Sequence, residues 1–271
     1  MFTKIYTMKS VFKLLALLLL AVLPFSLFAQ GPTIILEYMK VTPGMEWQYL
    51  EVEKTWKKIH EKRIEAGVHN GWQLWKNVYA RDGDPYQYVT ITWYNNLAHS
   101  LAGDPEGFWE DNMAGVFTEE EWEKLWENTM KSRTLVKAEV NHNIVSAENN
   151  KGGKYILVNR MRTMPGIWNE YIEYEWEISK PLYEEAIRRG HRAHWGMWQT
   201  WPYNEGDFRF TTVDGYESLE QMSGGEDLLP EVHPDKTWEE VGDKFNSLRV
   251  HSSVELWEAV DYIFPEAEEE E

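Results

Sequence analysis

Two stretches of the chain carry the same succession of apolar and polar positions. Thr33 to Val41 (TIILEYMKV) and Lys154 to Arg162 (KYILVNRMR) are short runs rich in β-branched and aliphatic residues, which predicts strands. Each leads to Pro-Gly and then to an apolar stripe at helical period. The stripe is Met45, Tyr49, Val52, Trp56 and Ile59 in the first case, and Ile167, Tyr171, Tyr174, Ile178 and Leu182 in the second. Thr42 is placed to cap the first helix, with Pro43 at its first position; Met164 gives the second helix no such cap. Pro181 is expected to kink the second helix near its end, and Gly67 and Gly190 to terminate the pair. Glu51, Glu53, Glu173 and Glu175 recur at matching positions and read as a solvated helix face.

The match extends through three segments in the same order. Pro43, Gly44, Tyr49, Glu51, Glu53 and Lys58 recur as Pro165, Gly166, Tyr171, Glu173, Glu175 and Lys180. AGVHNGWQLW (Ala66 to Trp75) then aligns with RGHRAHWGMW (Arg189 to Trp198) after one extra residue, and YQYVTITWYNNL (Tyr86 to Leu97) with FRFTTVDGYESL (Phe208 to Leu219). Each unit continues with two strands, the first pair joined through RDGDP (Arg81 to Pro85), and then with short helices around a Gly/Pro-containing insert. A last strand (Thr134 to Ile144; Val250 to Tyr262) completes it. The order βαββαβ defines an α+β fold of two tandem ferredoxin-like repeats, each a split βαβ sheet with helices on one face. The expected organisation is a leader over 1–29, repeats over 30–148 and 149–264, and an acidic disordered tail over 265–271.

The leader reads as a secretory signal peptide. Lys4, Lys9 and Lys13 precede the apolar run Leu14 to Phe28, which closes at Ala29-Gln30 and is too short for a comfortable membrane span. Export to the periplasm or beyond is therefore expected, with no membrane span. The formal net charge of −18 disfavours nucleic acid and anionic membranes as partners. With no cysteine, neither disulfides nor thiolate chemistry is available, and stability must come from the core. Fifteen tryptophans are the compositional outlier.

Those tryptophans fall on both faces of the predicted strands. Trp72 and Leu74 share one face and Trp75 the other; Trp195 and Met197 share one face, with Trp201 beyond them, and Trp198 the other. Core packing is the plain reading, and rings lining a pocket for an apolar or aromatic ligand the functional one. His191 and His194 form H-x-x-H in a loop entering a strand, which lacks the ligand set of a metal site; the plain reading is a surface or turn-stabilising role, and the functional one a pocket rim and a proton acceptor. Glu37 and Asn159 interrupt apolar strands, so each is bonded internally or faces a cavity; Tyr38 and Arg160 take the opposite face, as surface or rim. The inserts Leu101 to Phe117 and Met222 to Trp238 are lids or packed loops. No nucleophile elbow, phosphate loop or dinucleotide fingerprint is present.

The strand–PG–helix passages TPGMEWQYLE and MPGIWNEYIE, with TWYNNLAHS (Thr92 to Ser100), resemble the dimeric α/β-barrel superfamily. That group includes antibiotic-biosynthesis monooxygenases, NIPSNAP-like proteins, haem-degrading monooxygenases and chlorite dismutases. The resemblance implies that two ferredoxin-like units pair into a barrel, here within one polypeptide. The haem-degrading branch uses a strand-one asparagine and a strand-three tryptophan; the resemblance puts Asn159 at the first position and Trp93 at the second, in different repeats. His99 lies only at the start of the helix where that branch has its histidine.

The expected function is an exported barrel that binds a small apolar or aromatic molecule, with cofactor-independent monooxygenase-type or isomerase-type chemistry as its catalytic form. The catalytic candidates are His191, His194, Asn159 and Trp93, and the ligand-binding candidates Glu37, Trp72, Trp75, Trp195, Trp198 and Trp201. No metal is expected. Haem or another tetrapyrrole is the alternative ligand, a non-catalytic interaction module the alternative class, and a homodimer a further assembly.

Overall fold

The computed structural model describes residues 31–202 and 208–265. The expected signal peptide and all of the acidic tail beyond residue 265 lie outside the described residues. The first half of the barrel runs β1 (Thr33–Val41), α1 (Glu46–Glu65), β2 (Gly71–Asn77), β3 (Tyr88–Tyr94), α2 (Leu97–Ala102), α3 (Phe108–Asn112), α4 (Glu119–Ser132) and β4 (Arg133–Ser146). The second half runs β5 (Tyr155–Thr163), α5 (Trp168–Tyr174), a π-helical turn (Glu175–Ser179), α6 (Lys180–Arg188), β6 (His194–Thr200) and β7 (Phe210–Tyr216). It ends with α7 (Leu219–Ser223), α8 (Leu229–Val232), α9 (Trp238–Leu248) and β8 (Arg249–Ile263).

The eight strands close into one barrel in the order β1-β3-β2-β8-β5-β7-β6-β4, and β4 pairs back onto β1. Every pairing is antiparallel. Two strands stitch the halves together: β4 pairs with β1 of its own half and β6 of the other, and β8 with β5 and β2. Closure leaves no long sheet edge along the central part of the barrel.

Both stitching strands need extra residues to bend. Partner registers skip Val136 and Ile144 on β4, and Ser252 and Val260 on β8. Each is a β-bulge, which raises local twist and lets a strand turn a barrel corner.

The helices cover the outside of the barrel. Under α1, Tyr49 packs with Met39, Val41, Trp72, Leu74 and Tyr88; under α5 and α6, Tyr171 and Ile187 pack with Met161, Trp195, Met197 and Phe210. The opposite strand face forms the lumen wall, with Ile34, Leu36, Trp75, Val89, Ile91, Ile156, Val158, Trp198 and Trp257 buried there. No described helix is long and apolar enough to cross a membrane.

Three local expectations need correction. Helix α1 begins at Glu46, not at Pro43, because Gly44 takes φ +78° and closes a turn in which the Met45 N–H donates to the Thr42 carbonyl. Thr42 caps nothing; its hydroxyl donates to the Lys131 carbonyl. Pro181, expected to kink the helix near its end, instead stands in the first turn of α6, directly after a π-turn in which the Lys180 N–H donates to the Glu175 carbonyl five residues back. Finally, Glu53 and Glu175 are not solvated. Both are 3% exposed and point under the helices.

These two glutamates sit in matching polar clusters. Glu53 pairs with Arg133 of β4 (Nε to Oε1, 3.0 Å), and Arg133 also donates to the Met39 sulfur. Burial outweighs the Arg133 charge and pushes Glu53 up to about 7. In the second half, burial likewise raises Glu175 while the nearby Arg249 charge opposes it, and the Tyr171 hydroxyl donates to the Met161 sulfur.

Candidate functional site

The lumen is a cavity of about 850 Å³. Strand alternation decides what lines it: from β1 come Ile34, Leu36 and Tyr38, from β5 Ile156, Val158 and Arg160, from β2 Gln73 and Trp75, and from β6 His194 and Trp198. The middle is aliphatic and aromatic, and polar groups gather at the two ends.

At one end stands His194, opposite Gly215 in the β6–β7 register. A Cβ on Gly215 would lie 2.6 Å from the His194 Cβ, so the imidazole is seated there only because its partner has no side chain. Burial, with the Arg192 charge adding, lowers the His194 imidazole to about 4, so it is neutral at pH 7. Across the barrel the arrangement is reversed: Gly71 on β2 faces Trp93 on β3. The Trp93 ring lies edge-on to Trp198 at 5.4 Å, and Gln73 Oε1 accepts from the indoles of Trp75 (3.2 Å) and Trp93 (3.3 Å). The segment Asn150–Lys154, Glu217 and Phe264 complete this end.

The other end is ionic. Arg160 is 5% exposed and lies between Glu139 of β4 and Glu255 of β8. Tyr38 donates its proton to Glu139 and Tyr86 donates to Glu255, each at 2.5 Å. Burial, with the Glu139 charge adding and Arg160 opposing, pushes the Tyr38 phenol well up, which keeps that proton on oxygen. Lys137 pairs with the second oxygen of Glu139, while the Trp257 indole and Asn77 amide donate to Glu255.

The structure thus gathers some candidates and separates others. His194, Trp93, Trp75 and Trp198 share the lumen. Trp72 and Trp195 face the helices and are core. Trp201 lies past the end of β6, 51% exposed. His191 is in the α6–β6 loop, where its Nδ1 accepts from the Glu226 N–H, away from the lumen. Glu37 and Asn159 also lie off the lumen, on the helix-facing side of β1 and β5. Thr90 donates weakly to Glu37 (3.4 Å), and Asn159 donates to Asp214 (2.6 Å). Their neighbours Tyr38 and Arg160, read from sequence as surface or rim, are the lumen residues.

That parity was ambiguous because a closed barrel buries both strand faces, so apolar residues mark neither face as inner. Glu139, Glu255 and Gln73 were missed for the same reason. The inserts also cover no part of the lumen: Phe108 packs with Val52 and Ile59, and Leu228 with Leu182 and Ala186. Among the described residues no group of three or more His, Asp or Glu side chains is arranged to hold a metal ion.

No protein-family model and no curated protein matches the sequence. Among solved structures, a "putative monooxygenase" of Fusobacterium nucleatum is similar at TM-score 0.54 and 7% identity, over 87% of this chain and 95% of that one. A second "putative monooxygenase", of Lactobacillus acidophilus, is similar at TM-score 0.51 and 10% identity, over 86% and 96%. At such identities the likeness concerns the fold alone. The fold is that of the dimeric α/β-barrel class, an α+β architecture around an eight-stranded antiparallel barrel, with all eight strands on one chain.

Proposed function

We propose that the barrel binds a small apolar or aromatic molecule in its lumen. The observation that carries this reading is the cavity: about 850 Å³, within the roughly 300–1,000 Å³ of small-molecule sites, with aliphatic and tryptophan walls. Trp75, Trp93, Trp198 and Trp257 line it, so a bound aromatic molecule should quench intrinsic fluorescence. Titration of a panel of mono-, bi- and tricyclic aromatics tests the reading. Saturable quenching is expected for the wild type and not for Val158→Trp, whose added ring occupies the lumen. A flat response across the panel would refute it and favour a non-catalytic interaction module.

In the catalytic form of this reading, His194 is the base and Trp93 a wall for the substrate, as in a cofactor-independent monooxygenase or an isomerase. Its support is that both residues share the lumen and that His194 is neutral at pH 7. A tetrapyrrole is the second reading, favoured by the same imidazole: His194 is the sole histidine on the lumen wall among the described residues, and its ring makes no protein hydrogen bond. His194 would hold the iron and the aliphatic and tryptophan walls the macrocycle. Hemin titration should then give a Soret band that changes in His194→Ala but not in His191→Ala.

We read the two halves as a tandem duplication; matching bulges and matching Glu–Arg clusters support this. We read residues 1–29 as a cleaved signal for export, supported by the lysines and the apolar run of the leader. N-terminal sequencing of the mature protein tests that point.

A further inference from the structure

The ionic end of the lumen holds a guanidinium with donors to spare. Arginine carries five N–H groups. Arg160 makes three hydrogen bonds to protein oxygens: Nη2 to Tyr38 Oη at 3.0 Å, Nη1 to Glu139 Oε2 at 3.4 Å and Nη2 to Tyr86 Oη at 3.5 Å. Its Nε is buried without a hydrogen-bond partner, although Glu255 Oε1 lies 3.5 Å away. The long contacts have a cause. Both carboxylates already receive the short tyrosine bonds, together with Lys137, Trp257 and Asn77, so they draw little on Arg160. Phe208 covers a face of the guanidinium at 4.5 Å and leaves its edge to make the polar contacts. Buried donors left over beside a cavity cost free energy unless something in the cavity accepts from them.

Charge decides what kind of acceptor fits. Arg160 and Lys137 are balanced by Glu139 and Glu255, so the end is formally neutral. A ligand carboxylate there would leave a net negative charge among buried side chains, an expensive outcome. A neutral oxygen costs no such imbalance. We propose that Arg160 recognises a neutral carbonyl oxygen, as in a ketone, quinone or amide, on the apolar molecule that the lumen holds. This rests on the lumen-binding reading and adds the polar group that the ligand presents.

Matched compounds separate the two claims. Equilibrium dialysis would compare fluorene, 9-fluorenone and fluorene-9-carboxylate, with indane and 1-indanone as a smaller pair. Wild-type protein should bind each ketone about ten- to a hundredfold more tightly than its hydrocarbon, the range of one hydrogen bond to a charged group. In Arg160→Lys, which keeps the charge and loses the fork, the preference of ketone over hydrocarbon should fall to about twofold. Difference infrared spectra of the wild-type complex should show the ketone stretch moved to lower frequency, a readout that does not depend on the variant folding. Equal binding of ketone and hydrocarbon with an unshifted carbonyl would overturn this proposal and leave the lumen reading intact. Tighter binding of the carboxylate would overturn the charge argument, and with it the proposal. No binding of any compound would overturn both readings.

Discussion

Beneath its helices the barrel is built the same way twice; inside its lumen it is not. On the outer face Tyr49, Glu53 and Arg133 in the first half correspond to Tyr171, Glu175 and Arg249 in the second, with Met39 and Met161 as matching sulfur acceptors. On the inner face, the position that holds Tyr38 on β1 holds Arg160 on β5. The cross-strand pair Gly71–Trp93 becomes His194–Gly215, so the large ring moves from one strand to its neighbour. The outer layer meets one requirement in both halves, joining helix to sheet. The lumen carries no such shared requirement, and there each half contributes different side chains.

The comparison can be broken most forcefully at the tryptophans. Trp195→Ala, on the helix face and 1% exposed, should cost about 3–5 kcal/mol in urea unfolding, the range for deleting a buried aromatic. Trp93→Ala, whose ring borders the cavity, should cost about 1–2 kcal/mol on the same principle and instead weaken ligand quenching. Equal losses would mean that the two faces are not functionally distinct.

The outer clusters come next. Arg133→Met leaves Glu53 buried without its pair, and should cost about 3 kcal/mol at pH 8. The cost should shrink by pH 5, where Glu53 takes up a proton. The sign follows from its raised folded value of about 7: its contribution is fully present below the unfolded carboxylate range and is lost as pH rises through 7. Arg249→Met should behave alike if the clusters are equivalent, and unfolding curves at the two pH values check this.

The histidines act with the opposite sign. His194 and His69 are both lowered to about 4, each chiefly by burial. Their stabilising effect is present above the unfolded value near 6.5 and is lost as pH falls toward 4. His194→Asn should flatten that acid limb by at most about 1.4 kcal/mol per pH unit, the share of one proton. An unchanged slope would show that His194 is already free to protonate in the fold.

The smallest effect sharpens the glycine swap. Gly215→Ala meets the His194 Cβ, an atom fixed to backbone, and should cost about 1–3 kcal/mol by overpacking. Gly71→Ala meets the ring of Phe264, a side chain that can move away, and should cost less than about 1 kcal/mol on the same principle.

Much of this architecture was legible from residue pattern. The strand–turn–helix passages, the element order and the extra residue between Lys180 and Arg189 all show in the sequence, because periodicity and Pro-Gly act locally. The helix stripe also marked Tyr49, Val52 and Ile59 correctly as inward. It assigned Glu53 and Glu175 to solvent, since nothing nearby in sequence announces that Arg133 and Arg249, about 75 residues on, arrive to meet them. The candidate site was legible only in part. Trp75, Trp93, Trp198 and His194 were named and do meet in the lumen; for Glu37 and Asn159, left open between internal bonding and a cavity, the structure shows internal bonds on the helix-facing side.

By itself the sequence determined which segments are strands and helices, their order, and the acidic, cysteine-free composition of the chain, because these depend on local propensity and counting. Tertiary structure alone decided which face of each strand is the inside. Alternation gives two faces but no sign, and in a barrel both are buried. Closure through β4 and β8 chose the sign, and so brought Tyr38, Arg160, Glu139 and Glu255 to one end of a cavity and His194 and Trp93 to the other.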